Sequence, residues 1–366
     1  MTNKEKAIEI FRLLEKNHIN LYHDISKEDF EIELNKFLEI ADDLDSVHFD
    51  AGISKLFSLF KDAHTNYIVK GPYVDVNIKY IEGKFYLCKP EEKLCEEIKK
   101  VNGVDFDEVY NRFKGIIQYE YDSWANKTIA SKLGHLYRLK MIDCENKENP
   151  NQVEFVLESG KKVVCEKRQK KIMKKPNYSF SMSDNILIIN YSKCIEMEDY
   201  PFKKFVRDVK DSFNEFTDCC LVDLRGNTGG SGELIRPLID LLEEKNVKTY
   251  VLMNEAVYSS GTFALFDLKK YLNATFIGTE AGQGGCRYGQ QIELEVDGCR
   301  FGYPEKKFDL VKMLGNKFNK NFSYEYAIRP DIYLAERVED VKLGIDGQLR
   351  DCLEIMRKEI NLAKNT

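Results

Sequence analysis

Ser259 occupies a position from which a serine nucleophile could act. It follows an apolar run that predicts a strand over 248–253, and Gly261 lies two residues on, in a predicted helix over 260–271. A serine at a strand-to-helix turn is displayed at a sheet edge, where the first amides of the helix can stabilise a developing oxyanion. Ser-Ser-Gly is also an ordinary helix N-cap, so the local pattern leaves both interpretations open.

A glycine-rich turn, Gly226-Asn-Thr-Gly-Gly230, follows a second apolar strand predicted at 219–223. Adjacent glycines let a backbone amide approach a ligand closely, as an oxyanion donor must. Phosphate binding is a rival hypothesis, but the chain has neither GxGxxG nor Gly-Lys-Ser/Thr here. We interpret Asp223 and Arg225, which precede the turn, as structural residues that hold the loop.

A catalytic serine needs a base, and histidine is the usual one. The five histidines are His18, His23, His48, His64 and His135. His64 stands out because it lies in a polar turn, Asp62-Ala-His-Thr65, directly after an apolar helix. On local evidence, a lone histidine at that point is more often a helix C-terminal cap than a catalyst.

Composition narrows the class of protein. The chain has 366 residues, 61 acidic against 55 basic, and a net charge of −6, which argues against a nucleic-acid or anionic-membrane partner. Charges are scattered through the first twenty residues and no stretch approaches a membrane span, so we expect a cytoplasmic protein. The ten cysteines include no Cys-x-x-Cys and are expected to be reduced thiols, with no metal site and no cofactor.

Hydrophobic periodicity divides the chain into three predicted domains. Residues 1–65 contain three amphipathic helices, the second capped by Ser26 with Asp29, and form an N-terminal helical subdomain. Residues 66–175 predict a β-rich segment that also contains a helix-like charged run from 91, and they end in a basic stretch interpreted as a solvated face. Residues 176–366 alternate predicted strands and helices, including helices over 198–216 and 232–244, and end in a predicted closing helix over 336–361. This alternation predicts right-handed crossovers and a mostly parallel sheet.

Four motifs then carry a family resemblance. DLRGNTGG at 223–230, the Ser259-Ser-Gly turn, IGTEAGQGG at 277–285 and IRPDIYL at 328–334 resemble, in that order, the tail-specific proteases of peptidase family S41. The resemblance implies an α/β fold with a crotonase-like protease core and a degenerate PDZ-like middle segment. The Asp-x-His-Thr turn is similar to the tricorn-like branch, which does not use a catalytic lysine.

The resemblance also implies roles for individual residues. The family nucleophile falls on Ser259, and its oxyanion amides fall on Ser260 and the pair Gly229 and Gly230. The lysine of the processing peptidases would fall on Gly284, which disfavours a Ser-Lys dyad. The base of the tricorn-like branch matches His64. Glu325 is the best match for the acid that orients it, with Asp62 as the alternative.

These residues predict a cytoplasmic serine peptidase, an endopeptidase or a C-terminal processing-type enzyme, that hydrolyses a peptide or unfolded protein through an acyl-enzyme. A homo-oligomer is compatible with the sequence. An alternative is a catalytically inactive protein of the same fold that binds a peptide or apolar ligand, a hypothesis that gains from the altered Thr279-Glu-Ala281 loop. A third is a crotonase-like acyl-CoA enzyme, which would need neither Ser259 nor His64.

Overall fold

The computed structural model describes residues 1–168, 175–214, 217–318 and 320–364. It divides into two compact units, one of Met1–Lys171 with Arg287–Phe308 and the other of Ile172–Cys286 with Asp309–Thr366. The three predicted domains remain a prediction, and the structure groups the first two in a single unit. The end of the predicted 198–216 helix and residues 169–174 of the basic stretch lie outside the described residues.

The α-helices, numbered in chain order, are α1 Asn3–Asn17, α2 Lys27–Ile40, α3 Ser46–Ser58, α4 Phe106–Lys114, α5 Asp122–Lys132, α6 Leu136–Met141, α7 Phe202–Ser212, α8 Arg236–Glu244, α9 Ser260–Leu272, α10 Leu310–Leu314, α11 Val338–Lys342 and α12 Gly347–Lys364. The strands are β1 Asn66–Tyr67, β2 Ile78–Ile81, β3 Lys84–Lys89, β4 Leu94–Val101, β5 Val104–Asp105, β6 Gln152–Leu157, β7 Lys162–Glu166, β8 Tyr178–Ser183, β9 Ile186–Tyr191, β10 Cys219–Asp223, β11 Lys248–Met253, β12 Thr275–Gly278, β13 Cys286–Val296, β14 Cys299–Asp309 and β15 Ile332–Tyr333. Among the described helices, none is both long and apolar enough to cross a membrane.

In the first unit, the three helices predicted near the N-terminus form as α1, α2 and α3. Ser26 caps α2 by accepting a hydrogen bond from the Asp29 amide, as predicted. The apolar faces meet in an aromatic cluster that includes Phe11, Phe30 and Phe57. The β13–β14 hairpin, which the sequence did not predict, contributes Phe301 to this core, and β14 pairs antiparallel with β1. The hairpin thereby joins a distant segment of the chain to the N-terminal helices.

A second sheet of the first unit has the strand order β2-β3-β4-β6-β7, with β5 paired to β4. The predicted helix-like run from 91 is wrong, because most of it forms β4. Leu94, Ile98 and Val101 are all buried, and a register shift between Ile98 and Lys100 turns the strand there. Such a β-bulge puts apolar residues at helix-like spacing although the backbone is extended.

The expectation that all ten cysteines are reduced is also wrong for one pair. Cys88 on β3 and Cys95 on β4 lie directly opposite each other in the antiparallel ladder and form a disulfide. The other eight cysteines are free thiols, seven of them buried. Sequence spacing alone does not reveal such a cross-strand pair, because it depends on the register of the two strands.

The second unit contains a six-stranded sheet of order β15-β12-β11-β10-β9-β8. In this sheet the strands β9, β10, β11, β12 and β15 run parallel and β8 is antiparallel, which confirms the predicted mostly parallel sheet. All five residues of β10 are buried. Because β10 and β11 are parallel neighbours, the loops that follow them emerge at the same carboxyl edge of the sheet.

Two predicted helices of this unit have different bounds in the structure. Helix α8 begins at Arg236 with Pro237 in its first turn, so the predicted 232–244 helix starts late. The predicted closing helix over 336–361 forms as α11 and α12, separated by a turn in which Gly344 has a positive φ of 70°. Glycine adopts that backbone conformation without the steric cost that other residues meet.

Candidate active site

Ser259 lies on a strained turn between β11 and α9. Its backbone has φ 53° and ψ −122°, and helix α9 begins at the next residue. A positive φ at a residue other than glycine costs energy and is concentrated at functional sites, as in the nucleophile elbow of the α/β-hydrolases. The Ser259 amide donates to Gln283 Oε1 at 2.9 Å, and its carbonyl oxygen accepts from Thr262 Oγ1 at 2.7 Å. The turn is therefore held from both sides.

Gln283 and Thr262, which hold this turn, were not assigned by the sequence. Both side chains are fully buried, and Thr262 Oγ1 lies 3.3 Å from Gln283 Oε1. Gln283 is positioned by the motif that contains the Pro-Asp pair, because its carbonyl oxygen accepts from the Ile328 amide at 3.0 Å. Two motifs far apart in the chain thus support the Ser259 backbone, a contact that motif spacing does not predict.

The glycine loop packs directly against Ser259. A Cβ atom at Gly229, where φ is 103°, would lie 2.8 Å from both Ser259 Cβ and the Ser260 nitrogen. At Gly230, where φ is 138°, it would lie 2.2 Å from the Cys194 carbonyl oxygen. The Ser260 hydroxyl donates to the Gly230 carbonyl oxygen at 2.6 Å. Side chains are thus sterically excluded where the loop meets the serine turn.

Two backbone amides remain available at this junction. Across the part of the chain that the structure describes, the amides of Gly230 and Ser260 donate no hydrogen bond to the protein. The Gly229 amide, by contrast, donates to Asn227 Oδ1 at 2.9 Å. Asn227 is fully buried and its Nδ2 donates to the Tyr191 carbonyl oxygen at 2.8 Å, so the loop is anchored to the end of β9. An arrangement of this kind can bind a negatively charged oxygen.

Asp223 and Arg225 hold the start of the loop, in agreement with their structural interpretation. The Arg225 guanidinium contacts Asp223 and also Asp346, with both Nη2 distances between 2.7 and 2.8 Å. Burial by itself would lower the pKa of Arg225, but the carboxylates of Asp346 and Asp223 raise it above its usual value. The loop therefore begins at an arginine that stays charged at neutral pH.

His64 lies in the first unit beside a buried carboxylate. The imidazole is 5% exposed, and its Nδ1 is 3.6 Å from Oδ1 of the fully buried Asp62. The His64 amide donates to the same oxygen at 3.0 Å, and the Thr65 hydroxyl donates to Oδ2 at 2.6 Å. Burial alone would raise the pKa of Asp62, but the hydrogen bonds from His64 and Thr65 lower it. Asp62 is therefore an anion next to the imidazole.

Glu120 is a second carboxylate near His64, and sequence analysis did not find it. One ligand atom from each of Asp62, His64 and Glu120 lies within 4.8 Å of the others. Glu120 follows α4 in the chain, and no motif or periodicity connects it to the Asp-x-His-Thr turn. Carboxylate and imidazole groups are also ligands for divalent cations, so these three residues could hold a metal ion.

Glu325, predicted as the orienting acid, has an exposed side chain in the second unit, and its amide donates to Ser323 Oγ at 3.1 Å. Its proposed role remains a prediction. The acid of the Pro-Asp motif, Asp331, has a structural role instead. Its carboxylate accepts from Lys269 Nζ at 2.8 Å and from the Phe276 amide at 2.8 Å, which fixes the segment to β12.

Solved structures share this fold. No family model matches the chain, and no curated protein matches its sequence. Mature CPAF matches with a TM-score of 0.69 at 10% identity, covering 100% of this chain and 98% of CPAF. CPAF in complex with lactacystin gives a TM-score of 0.66 at 11% identity, with 98% and 99% coverage. The photosystem II D1 C-terminal processing protease gives 0.51 at 14% identity, with 95% and 99% coverage.

These neighbours are S41-family peptidases. The comparison confirms the predicted resemblance to tail-specific proteases at the level of the fold. The chain therefore has a mixed α/β fold, with several sheets, of the kind seen in CPAF and the D1 processing protease.

Proposed function

We propose that this chain is a serine peptidase in which Ser259 is the nucleophile and His64 is the base. His64 takes the hydroxyl proton as Ser259 Oγ attacks a peptide carbonyl carbon, and a tetrahedral oxyanion forms. The proton then passes to the leaving amine, the peptide bond breaks, and an acyl-enzyme remains. Water deprotonated by the same imidazole hydrolyses the ester and regenerates the Ser259 hydroxyl.

The observation that carries the proposal is the junction of the strained serine turn with the glycine loop. The amides of Gly230 and Ser260 are the proposed oxyanion donors, since the Gly229 amide is engaged by Asn227. One well-placed donor lowers such a barrier by roughly 3–4 kcal/mol. A merely structural helix cap would require neither the positive φ at Ser259 nor the close approach of Gly229.

The base is the second part of the proposal. Asp62 is ionised, buried and 3.6 Å from the His64 ring, so it can stabilise the imidazolium that forms during attack. Glu120 is close enough to share this role. Glu325 is retained as a candidate orienting acid, and the variants Asp62→Asn, Glu120→Gln and Glu325→Gln separate the three by their effect on kcat.

The proposed substrates are peptides or unfolded proteins, with no cofactor. Both endopeptidase and C-terminal processing activity fit the proposed chemistry, and cytoplasmic location and self-association remain proposals. Peptides that carry the same sequence with an internal or a terminal fluorophore pair would distinguish cleavage within a chain from cleavage near its C-terminus.

The test compares hydrolysis of casein and of a fluorogenic peptide library by the wild type and by Ser259→Ala and His64→Ala. We expect both variants to lose at least 10³-fold in kcat/KM, as removal of triad members does in other serine peptidases. Matched controls are Ser181→Ala, at an exposed serine on β8, and His48→Ala, at an exposed histidine paired with Asp45. Equal rates for wild type and Ser259→Ala would overturn the proposal.

A fluorophosphonate probe gives a second measurement of the same site, because it labels an activated serine without needing a matched substrate. We expect labelling of the wild type and of Ser181→Ala, and none of Ser259→Ala. Binding of peptides without labelling or hydrolysis would favour the inactive binding protein instead. Labelling that persists in Ser259→Ala would assign the nucleophile to another residue.

A further inference from the structure

We propose that His18 and Thr65 are positioning residues of this peptidase. They form a buried hydrogen-bonded chain that fixes the Asp62 carboxylate and, through it, the imidazole of His64. The inference rests on the proposed function, since it gives His64 the role of base. Neither residue touches the reacting atoms in this scheme, and both act through Asp62.

The hydrogen-bonded chain begins at His18, and the tautomer of this histidine sets the direction in which the protons are donated. Its Nδ1 accepts a hydrogen bond from the Asn20 amide at 3.0 Å, so that nitrogen carries no proton. Burial lowers the pKa of His18 to about 4, although the Asp62 charge opposes this, so the ring is neutral at neutral pH. A neutral imidazole has one N–H, which must then be on Nε2.

The next two bonds follow from that tautomer. His18 Nε2 lies 2.8 Å from Thr65 Oγ1, so its N–H donates to the threonine oxygen. The single Thr65 hydroxyl proton is directed to Asp62 Oδ2 at 2.6 Å. That distance is typical of a hydroxyl donating to an ionised carboxylate, which is about twice as strong as a neutral hydrogen bond. All three side chains are at least nine-tenths buried.

The chain ends at the base. With Oδ2 held by Thr65, the other Asp62 oxygen faces His64, where it accepts the backbone amide at 3.0 Å and lies 3.6 Å from ring Nδ1. Rotation of the carboxylate would break both the Thr65 and the His64 contacts. Asp62 is therefore restricted to the orientation that places Oδ1 beside the imidazole.

The surroundings of His18 also fix its ring. His18 is the C-cap residue of α1, where its amide donates to the Leu14 carbonyl oxygen, and its ring packs against Tyr288 at 5.9 Å between centroids. Asn20, which sets the tautomer, also donates to the Tyr288 hydroxyl at 2.9 Å. The first helix and the β13–β14 hairpin thus hold the His18 end of the hydrogen-bonded chain, and the Asp-x-His-Thr turn holds its Asp62 end.

The decisive experiment compares Thr65→Val, which removes the hydroxyl at nearly constant volume, with Thr65→Ser, which keeps it. On a fluorogenic peptide we expect Thr65→Val to lower kcat roughly 10- to 100-fold, by analogy with the loss seen when a hydrogen-bond partner that orients a metal-bound imidazole is removed. KM should stay within about twofold and Thr65→Ser within about threefold of wild type, because substrate does not contact this residue. His18→Phe, which keeps a ring but lacks the N–H, should reproduce the kcat loss.

Thr128→Val is the matched control. It makes the same change on α5 of the same unit, at a hydroxyl that has no hydrogen-bond partner in the described part of the chain. Its kcat should equal that of the wild type. A loss in Thr65→Ser equal to that in Thr65→Val would overturn the proposal, because packing rather than the hydroxyl would then be responsible. Wild-type kcat in Thr65→Val would overturn it as well.

A measurement without turnover separates this inference from the proposed function. In ¹⁵N-histidine-labelled Ser259→Ala protein, NMR should show His18 as the Nε2–H tautomer with a slowly exchanging proton, which becomes fast-exchanging in Thr65→Val and stays slow in Thr65→Ser. If the wild type hydrolyses no peptide, the proposed function fails. The spectrum still tests whether the hydrogen bonds from His18 through Thr65 to Asp62 are formed. An Nδ1–H tautomer would refute it.

Discussion

The replacement Gly230→Ala tests whether the proposed oxyanion donors require a residue without a side chain at position 230. A methyl group at this position would lie 2.2 Å from the Cys194 carbonyl oxygen and 2.7 Å from its carbonyl carbon. These are backbone atoms, so the clash cannot be relieved by a side-chain rotation. The loop must move by roughly 1 Å to restore ordinary contact, in addition to the strain of a φ of 138°.

A displacement of that size is enough to misplace the Gly230 amide. Loss of one oxyanion donor reduces kcat by about 10²–10³-fold, and a misplacement of about 1 Å costs about 10²-fold. We therefore expect Gly230→Ala to lose at least 10²-fold in kcat, with little change in KM. The assay is steady-state hydrolysis of a fluorogenic peptide, with thermal unfolding measured in parallel to show that the variant is folded.

Gly226→Ala is the control within the same loop. Its φ is also positive, at 81°, but an added Cβ atom would have no heavy atom within 4 Å. It should cost roughly 1–2 kcal/mol of stability through backbone strain and leave kcat unchanged. The proposed role of the Gly230 amide is refuted if folded Gly230→Ala retains wild-type kcat, or if Gly226→Ala loses as much activity as Gly230→Ala.

Three further predictions concern the surrounding structure. Gln283→Leu should lower kcat more than tenfold with little change in KM, since the Ser259 amide loses its acceptor; unchanged kinetics would show that the turn holds itself. Burial raises the pKa of Asp331, but Lys269 and Lys320 lower it to about 2, so its contribution to stability is present above about pH 4 and is lost as the pH falls to 2. Asp331→Asn should therefore destabilise the fold by about 2–4 kcal/mol at pH 7 and by much less at pH 2.5, measured by urea unfolding; an equal effect at both pH values would contradict the ion pair. Dialysis against EDTA should leave hydrolysis unchanged, and a loss restored by Zn²⁺ would instead assign a metal to Asp62, His64 and Glu120.

Local chemistry explains which parts of the site could be predicted. The Ser259 turn follows from an apolar strand and a Ser-Ser-Gly sequence that begins a helix, and the glycine loop follows from a buried strand before Gly229 and Gly230. Both signatures lie within a few residues, so the sequence displays them directly. The parallel order of β9 to β12 also follows from alternation of short strands and helices.

The features that the sequence predicted wrongly or did not predict depend on strand register or on contacts between distant segments. The apolar residues of β4 have helical spacing because the strand contains a bulge, and the Cys88–Cys95 pair depends on strand register. The β13–β14 hairpin packs on the N-terminal helices although more than 200 residues separate them. No local pattern records such a pairing, because each partner is only one of many apolar or cysteine residues in the chain.

The sequence by itself determined the serine turn, the glycine loop, the Asp-x-His-Thr turn and the α/β core, since each follows from local propensity and periodicity. Only the tertiary structure decided which buried groups complete them: Gln283 beneath Ser259, Glu120 beside His64, and the chain from His18 through Thr65 to Asp62. Buried polar groups must find hydrogen-bond partners wherever the fold brings them. Those partners are set by packing in three dimensions, and chain spacing does not encode them.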